Sequence, residues 1–384
     1  MKQVWKIKFL GEVCEILDSK RKPITKKDRI EGEFPYYGAT GILSYVHNYI
    51  FDERLILIGE DGAKWASGEN TSFIAEGKYW VNNHAHVIRP NRQIVLDNWI
   101  VYFLNFSDLS KYVTGLTVPK LNQEKMRSIS LPLPPLPEQQ RIVSILDEAF
   151  AAIAKAKANA EQNLKNAKEL FESYLQSVFE NTGEGWEEET LGEVCEFMQG
   201  IQKDIKLQSE ILKENQVRFL RIVDFTQGDE LPRYIDNPGK KYLVSNDDIS
   251  IVRYGASTGF VCRGLVGALA NNLFRVIPKS NREITKDFLF TFLISSLFQK
   301  VIKRSMNGAA MPAISFGMIK DIPFPIIPLK AQQSIVRKLI ALSSETKKLE
   351  AIYQQKINSL EELKKSILQK AFNGELKTSQ PVPA

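Results

Sequence analysis

Cysteine and histidine are scarce in this chain of 384 residues, which contains three of each. Cys14, Cys195 and Cys262 show no CxxC spacing, so the sequence predicts buried, reduced thiols and no zinc site. Long apolar runs are absent too, because the longest, around residues 288–298, is far short of the roughly 20 residues that span a bilayer. The first residues lack the apolar core of a signal peptide, so we expect a cytoplasmic protein without membrane contact.

Recognisable catalytic motifs are missing as well. The sequence has neither a Walker nucleotide-binding loop nor the Asn/Asp-Pro-Pro-aromatic motif and glycine-rich loop of adenine methyltransferases. Carboxylate-x-lysine triplets at 345–347 and 362–364 lie in predicted helices, where solvated charges are the simpler interpretation. His84-Ala85-His86 could supply two metal ligands, but no third ligand follows at a suitable spacing. We therefore predict no catalytic residue, no metal ion and no cofactor bound by this chain.

Length and composition narrow the class of protein. A chain of 384 residues is too long for one ordinary core, which predicts two or three domains. Its 43% hydrophobic and 25% charged residues are typical of a globular protein. The formal net charge of +6 is compatible with a polyanionic partner but does not require one.

An internal repeat is the most informative feature of the sequence. Residues 186–196 repeat residues 5–15 with seven of eleven positions identical, including the whole run Leu-Gly-Glu-Val-Cys-Glu. The offset between the copies is 181 in this first segment and 193 where Gly62 matches Gly255. It is 189 where Asn82-Asn83 matches Asn271-Asn272, and it returns to 193 for the rest of the repeat. A match sustained over this length predicts a tandem duplication, with extra residues near the start of the second copy.

Each copy begins with a part rich in β-branched and aromatic residues. Residues 54–58 and 248–252 are predicted to form buried strands because they are short apolar runs bounded by turn residues. Short helices are predicted at 97–112 and 286–304. The first part of each copy is therefore expected to be a mixed α/β head.

A long helix is expected to follow each head. Prolines at 131–137 and 323–328 mark the boundary, and about forty residues without Pro or Gly follow in each copy. At roughly 1.5 Å per residue each helix would span about 60 Å, and its apolar seam predicts an antiparallel coiled coil between two heads. The predicted seam comprises Ile153, Ala160, Leu164, Ala167, Phe171, Tyr174 and Val178 on the first helix and Leu349, Tyr353, Leu360, Leu363 and Ile367 on the second.

The alternation of two variable heads with two similar helices resembles the specificity subunit of type I restriction–modification systems. Residues 131–143 carry the resemblance as a Pro-Leu-Pro-x-Pro-Leu-x-x-Gln-Gln-x-Ile-Val-like stretch, and residues 324–336 are a degenerate copy of it. The second copy departs from the pattern at Lys330-Ala331, where the first has Pro137-Glu138. With the two Leu-Gly-Glu-Val-Cys-Glu repeats, the resemblance covers essentially the whole chain.

The resemblance implies an α+β fold with two α/β target-recognition domains in tandem, separated by two long antiparallel coiled-coil helices with pseudo-two-fold symmetry. The expected boundaries are 1–134 for target-recognition domain 1, 135–181 for helical spacer 1, 186–327 for target-recognition domain 2, 328–373 for helical spacer 2 and 374–384 for a C-terminal tail.

The resemblance also implies a function and a set of partners. Each head would read one half of a bipartite, asymmetric site in double-stranded DNA, and the helices would space the heads and dock two methyltransferase (M) subunits. The complex would methylate adenine in DNA, and in systems that include them, two restriction/translocase (R) subunits would complete an ATP-dependent endonuclease. The chain itself would be non-catalytic, with S-adenosylmethionine, ATP and magnesium on the partner subunits.

Candidate DNA contacts lie where glycine-permitted turns meet polar or basic side chains, at 59–65, 82–86 and 114–122 in the first head and 253–257, 271–275 and 307–315 in the second. Gly62 and Gly255 could mark only a tight turn, and Asn82-Asn83 could cap scaffold turns instead of reading bases. The residues predicted to bind DNA are Lys20, Arg21, Lys22, Lys64, Asn83, His84, His86, Lys120, Arg253, Tyr254, Ser257, Asn272 and Arg275.

Two alternatives to a DNA-reading subunit stay open at this point. One is a non-catalytic coiled-coil scaffold whose two β-rich heads recruit proteins, and the other is an enzyme whose active site has no recognisable motif. Affinity for duplex DNA that falls steeply with salt would distinguish a DNA reader from a protein scaffold.

Overall fold

The computed structural model describes residues 5–115, 117–180, 186–228, 230–306 and 313–376. The chain divides into two compact units, Met1–Glu161 with Gln354–Ala384 and Gln162–Tyr353. Each unit contains one head together with segments of two long helices, so both helices contribute residues to both units. Within the described residues, no helix is both long enough and apolar enough to cross a membrane.

The first head and the helix that follows it have mixed strand and helix content. Their elements are β1 (Lys6–Phe9), α1 (Leu10–Val13), β2 (Cys14–Ile16), β3 (Phe34–Gly38), β4 (Gly41–Val46), β5 (Phe51–Asp52), β6 (Leu55–Gly59), β7 (Ser72–Ala75), β8 (Lys78–Val81), β9 (Ala85–Pro90), α2 (Asp97–Phe106), α3 (Gln123–Arg127), β10 (Ser130–Leu133) and α4 (Leu136–Glu180).

The second head and its helix follow the same plan. Their elements are β11 (Glu187–Thr190), α5 (Leu191–Val194), β12 (Cys195–Gln199), β13 (Gln216–Leu220), α6 (Ile222–Thr226), β14 (Arg233–Asp236), β15 (Leu243–Val244), β16 (Ile249–Val252), β17 (Val261–Cys262), β18 (Gly267–Leu269), β19 (Leu273–Pro278), α7 (Lys286–Ile294), α8 (Ser296–Met306), α9 (Phe316–Lys320), β20 (Pro323–Ile326) and α10 (Leu329–Phe372).

Sheet topology is repeated between the heads. In the first head one sheet has the order β2-β9-β6-β7, a second has β4-β3-β8-β5, and β1 pairs with β10. In the second head the corresponding orders are β12-β19-β16-β17 and β14-β13-β18-β15, and β11 pairs with β20. The two copies predicted from the sequence therefore have the same fold.

Strand β6 of the first head and strand β16 of the second are inner strands of their four-stranded sheets. Every residue of both strands is buried, which explains why each is a nearly continuous apolar run instead of an alternating one. The strands predicted at 54–58 and 248–252 are confirmed to within one residue. The three cysteines are free and buried, as expected, and burial raises the pKa of each thiol to about 12.

The helices predicted within the heads are shorter than expected. The first ends at Phe106 and is followed by a separate 3-10 turn at Ser110–Tyr112. The second is broken at Ser295, whose hydroxyl donates to the carbonyl of Phe292 and accepts from the amide of Phe298. Ser295 thus ends α7 and caps α8, a role for which serine is well suited.

The pairing of the two copies differs from the sequence prediction at β9 and β19. Ile88 lies opposite Ile56 in the first head, and Val276 lies opposite Ile249 in the second. Val276 is therefore the structural counterpart of Ile88, one residue away from the offset of 189 that the sequence favours. The sequence pairing was wrong here because two adjacent asparagines and two adjacent aliphatic residues can be aligned in either register.

The long helices begin directly after the proline-rich stretches, as predicted. On α4, Ile153, Ala160 and Ala167 are buried, which confirms the predicted seam at these positions. The other four predicted members are half-buried, namely Leu164, Phe171, Tyr174 and Val178. On α10 the prediction was wrong at Leu349 and Leu363, which are 37% and 47% exposed.

The two helices run antiparallel where they meet within the first unit. The ammonium of Lys364 on α10 lies over the ring of Phe150 on α4, and Lys157 on α4 forms an ion pair with Glu361 on α10. The residue number on α10 falls from 364 to 361 as the number of the contacted residue on α4 rises from 150 to 157. This is the orientation of an antiparallel pair.

Candidate nucleic-acid interface

A matched backbone bridge lies at one edge of each head. Asp61 pairs with Lys120 in the first head, and Tyr254 pairs with Ala313 in the second, each as an isolated antiparallel bridge. In each head the residue before the bridge makes the same backbone hydrogen bond. The carbonyl of Glu60 accepts from the amide of Leu121 at 2.8 Å, and the carbonyl of Arg253 accepts from the amide of Ile314 at 2.7 Å.

A further backbone hydrogen bond completes the correspondence. The amide of Glu60 donates to the carbonyl of His84 at 2.9 Å, and the amide of Arg253 donates to that of Asn272 at 2.8 Å. We call these matched positions the recognition edge. It comprises Glu60, Asp61, His84 and Lys120 in the first head and Arg253, Tyr254, Asn272 and Ala313 in the second. Its backbone is shared, and its side chains differ at every position.

Gly62 and Gly255 follow the recognition edge in the two heads. Their φ angles are +69° and +102°, in the left-handed region that favours glycine. A Cβ atom added at either position would meet no atom within 4 Å apart from its chain neighbours, so conformation and not crowding explains these glycines. The tight-turn interpretation therefore accounts for them.

Behind the edge of the first head lies a cluster of charged side chains that are largely buried, except for the partly exposed Lys120. The guanidinium of Arg21 is 2.5 Å from the carboxylate of Glu60 and 3.4 Å from that of Asp18. The ammonium of Lys120 lies 2.8 Å from Glu60. Arg21 also donates to the backbone carbonyl of Ala85 at 2.8 Å, so this side chain points inward.

His86 is the innermost member of this cluster. It is 1% exposed, with Nδ1 at 2.6 Å from Asp18 and Nε2 at 2.7 Å from the carbonyl of Leu121. Each ring nitrogen of His86 therefore lies within hydrogen-bond distance of an oxygen atom. Through Leu121 the cluster is connected to the backbone of the recognition edge.

The neighbouring cations determine the ionisation of both carboxylates. Burial alone would raise the pKa of Asp18, but hydrogen bonds from His86 and Val87 and the charge of Arg21 lower it below its usual value. Burial alone would also raise the pKa of Glu60, but hydrogen bonds from Lys120 and Arg21 lower it below its usual value. Both groups are therefore carboxylates at neutral pH.

Asp18, Glu60 and His86 bring three groups capable of binding metal within 4.8 Å of one another. Arg21 and Lys120 already supply the positive charge that a divalent ion would bring. A metal ion would have to displace both, so the arrangement fits an ion-pair network better than a metal centre.

The other residues predicted in the first head lie at the surface. The basic side chains Lys20, Lys22 and Lys64 are exposed. Asn83 is exposed, and His84 is exposed while lying 2.5 Å from the carboxylate of Asp61. The sequence Lys20-Arg21-Lys22 thus divides into two outward lysines and one inward arginine.

In the second head three predicted residues line one cleft. Tyr254, Ser257 and Asn272 border a cavity of about 760 Å³. The Oδ1 atom of Asn272 is buried without a hydrogen-bond partner among the described residues. A buried acceptor without a partner has an energetic cost, which a donor on a bound ligand would remove.

Several residues of this cleft were not predicted from the sequence. Gln202, Lys203, Gln208, Arg221 and Arg233 line it together with the predicted residues. All lie between residues 196 and 254, where the offset between the copies changes from 181 to 193, so the sequence alone does not pair them with positions of the first copy.

Arg253 and Arg275 are directed into the second head. The Nε of Arg253 donates to the carbonyl of Ile314 at 3.3 Å. Arg275 donates to the carbonyl of Leu243 at 2.8 Å and lies 3.5 Å from Asp248. Of the stretch predicted at 307–315, residues 307–312 lie outside the described residues.

The fold is shared with two solved structures. One is a chain from a study of complex assembly and conformational transition of the type I R-M system, with a TM-score of 0.72, 20% identity and coverage of 97% of this chain and 98% of that chain. The other is the HsdS subunit from Thermoanaerobacter tengcongensis, with a TM-score of 0.60, 21% identity and coverage of 98% of each chain. These likenesses define the class of fold.

Family membership follows from the sequence. The family model described as type I restriction modification DNA specificity domain matches residues 2–165 and 183–362. The chain therefore belongs to the family of type I restriction–modification specificity subunits, as the resemblance predicts, and the protein-scaffold alternative is not favoured.

Curated relatives carry the same description. The MjaVIII specificity subunit of Methanocaldococcus jannaschii is 24% identical over 407 residues, covering 97% of this chain and 93% of that protein. The EcoDI specificity subunit of Escherichia coli is 22% identical over 410 residues, covering 97% and 88%. A putative specificity subunit of Haemophilus influenzae is 38% identical over 145 residues, which span 38% of this chain and 37% of that protein.

Proposed function

We propose that the two heads of this chain contact different halves of one bipartite, asymmetric site in double-stranded DNA. The observation that carries the proposal is the recognition edge. Its backbone hydrogen bonds are the same in both heads, whereas Asp61, His84 and Lys120 are replaced by Tyr254, Asn272 and Ala313. A shared scaffold with different side chains is what two readers of different sequences require.

Joining two heads in one chain has an energetic advantage. One head reading a few base pairs discriminates by about 1–3 kcal/mol for each good bidentate contact. Two linked heads add these energies and also require a fixed distance between the half-sites. Divergent heads on a duplicated scaffold thus specify a long, gapped and asymmetric sequence.

The predicted residues that are exposed, that line the cleft of the second head or, like Lys120, are partly exposed are the ones we propose to touch DNA. Lysine side chains suit phosphate, and amide, imidazole and hydroxyl groups suit base edges. Arg21, His86, Arg253 and Arg275 are instead proposed to hold the interface from behind, since they are directed inward. The proposed contacts are Lys20, Lys22, Lys64, Asn83, His84, Lys120, Tyr254, Ser257 and Asn272.

The remaining assignments concern domains and partners. We propose target-recognition domains at 1–134 and 186–327, helical spacers at 135–181 and 328–373 and a tail at 374–384, with the spacers docking two methyltransferase subunits. Two restriction/translocase subunits complete the endonuclease. S-adenosylmethionine, ATP and magnesium are assigned to these partners, and the complex to the cytoplasm. Support comes from the family match over both copies.

Mapping modified adenines in cellular DNA tests this function. Cells that carry the gene are compared with cells from which it has been deleted, with the methyltransferase gene intact in both. The expected result is a bipartite motif with an unspecified gap that is modified only when the gene is present. The proposal would be contradicted if deletion of the gene removed modification from a continuous palindromic motif. It would also be contradicted if deletion left every modified motif unchanged.

A further inference from the structure

A buried glutamine lies in the first turn of each long helix. Gln139 on α4 is fully buried, and its Oε1 accepts from the amide of Leu96 at 3.0 Å. Its Nε2 donates to the carbonyls of Ile94 at 2.9 Å and Pro134 at 2.8 Å. One side chain thus joins the start of α4 to the segment before α2 and to the proline turn.

The second copy repeats this arrangement. Gln332 on α10 is 1% exposed, and its Oε1 accepts from the amide of Thr285 at 2.9 Å. Its Nε2 donates to the carbonyls of Glu283 at 2.7 Å and Ile327 at 3.0 Å. The three contacted positions correspond in the two heads, although their side chains differ.

These contacts use both ends of each amide. Both amide hydrogens and the oxygen have backbone partners, so a tilt of the helix would leave buried polar groups unpaired. The following residues, Gln140 and Gln333, are exposed. Of each Gln-Gln pair that carries the family resemblance, only the first residue attaches the helix to its head.

We propose that Gln139 and Gln332 are positioning residues that fix the direction in which each long helix leaves its own head. They thereby set the gap between the two DNA half-sites, an inference that rests on the proposed function. The direction of each helix is important because a small tilt at one end produces a large displacement at the other end. A helix of 45 residues is about 67 Å long at 1.5 Å per residue, so a tilt of about 3° displaces its far end by roughly the 3.4 Å of one base pair.

The test compares affinities for DNA sites that differ only in their gap. The chain in complex with its methyltransferase binds duplexes with the native half-sites and gaps one base pair shorter, equal or longer. Gln139→Met and Gln332→Met keep the length of the side chain and remove its hydrogen bonds. Gln140→Met and Gln333→Met are matched controls at the adjacent exposed positions.

We expect the wild type and both controls to favour the native gap. In each buried variant the ratio of affinities for the native and altered gaps should fall at least about threefold, while the preference for native over scrambled half-sites persists. This ratio does not depend on the fraction of folded protein, so it separates positioning from a general loss of stability. Gln139→Asn, which is too short to reach all three partners, gives a second and milder variant.

An unchanged gap ratio in Gln139→Met, Gln332→Met and Gln139→Asn would overturn the proposal. Equal binding of all gaps by the wild type would overturn it as well. If the wild type did not prefer native to scrambled half-sites at all, the proposed function itself would fail, which is a distinguishable result.

Discussion

At the scale of single residues, the direction of a side chain decides its role more than its charge does. Lys20, Arg21 and Lys22 are consecutive cations, and the sequence suggests one basic surface. The structure separates them, because the guanidinium of Arg21 lies against Glu60 whereas both lysines are exposed. An arginine suits this inward position because its planar fork binds a carboxylate and backbone carbonyls together.

Removing Arg21 should therefore affect stability before it affects DNA binding. Arg21→Met leaves Glu60 and Asp18 buried with fewer partners, and we expect a loss of about 2–5 kcal/mol in the free energy of unfolding. Lys22→Met, the control next to it, should change this value by less than about 0.5 kcal/mol. Urea unfolding followed by tryptophan fluorescence measures both. Equal losses in the two variants would refute the inward role of Arg21.

The same cluster predicts how stability depends on pH. The folded pKa values of Asp18 and Glu60 lie below their ordinary values of 3.8 and 4.5. Their stabilisation is thus fully present above those values and is lost as the pH falls through the lower folded values. Asp18→Asn with Glu60→Gln should flatten the dependence of the free energy of unfolding on pH below about 4.5. An unchanged slope would show that other carboxylates dominate.

At the scale of elements, the sequence predicts what depends on local pattern. Prolines before α4 and α10 and the buried runs of β6 and β16 were sufficient to place those elements. The break at Ser295 was not predictable, since serine also occurs within helices and only its hydrogen bonds to Phe292 and Phe298 reveal the cap.

The seam of α10 shows the same limit. Leu349 and Leu363 are apolar yet exposed, whereas Thr346 is buried and donates to the carbonyl of Ser343. Lys364, a charged residue, places its ammonium over the ring of Phe150 on α4. When apolar residues lie on two faces of a helix, the sequence alone does not show which face packs against the partner helix.

This assignment predicts that one of two helix substitutions destabilises the protein and the other does not. Ala160 is 1% exposed, so Ala160→Leu should overpack its site and reduce the free energy of unfolding by roughly 1–3 kcal/mol. Leu363→Gln, at an exposed site, should change it by less than about 0.5 kcal/mol. Circular dichroism during urea unfolding provides the measurement. A larger loss in the free energy of unfolding for Leu363→Gln than for Ala160→Leu would indicate that the other face of α10 forms the seam.

At the scale of the whole molecule, duplication followed by divergence explains which features the heads share. The sheet orders and the buried Gln139 and Gln332 recur, whereas the recognition edge keeps only its backbone. The duplication was evident from the sequence because identical segments recur. The members of the recognition edge could not be selected from it, because the edge is assembled from segments far apart in the chain.

Replacing one head tests the central claim most directly. Residues 186–327 are exchanged for the corresponding head of another specificity subunit, and modified adenines are mapped in cells that express the hybrid. The account predicts a new sequence in one half of the motif, with the other half and the gap unchanged. A change in both halves, or in neither, would contradict the claim that each head reads its own half-site.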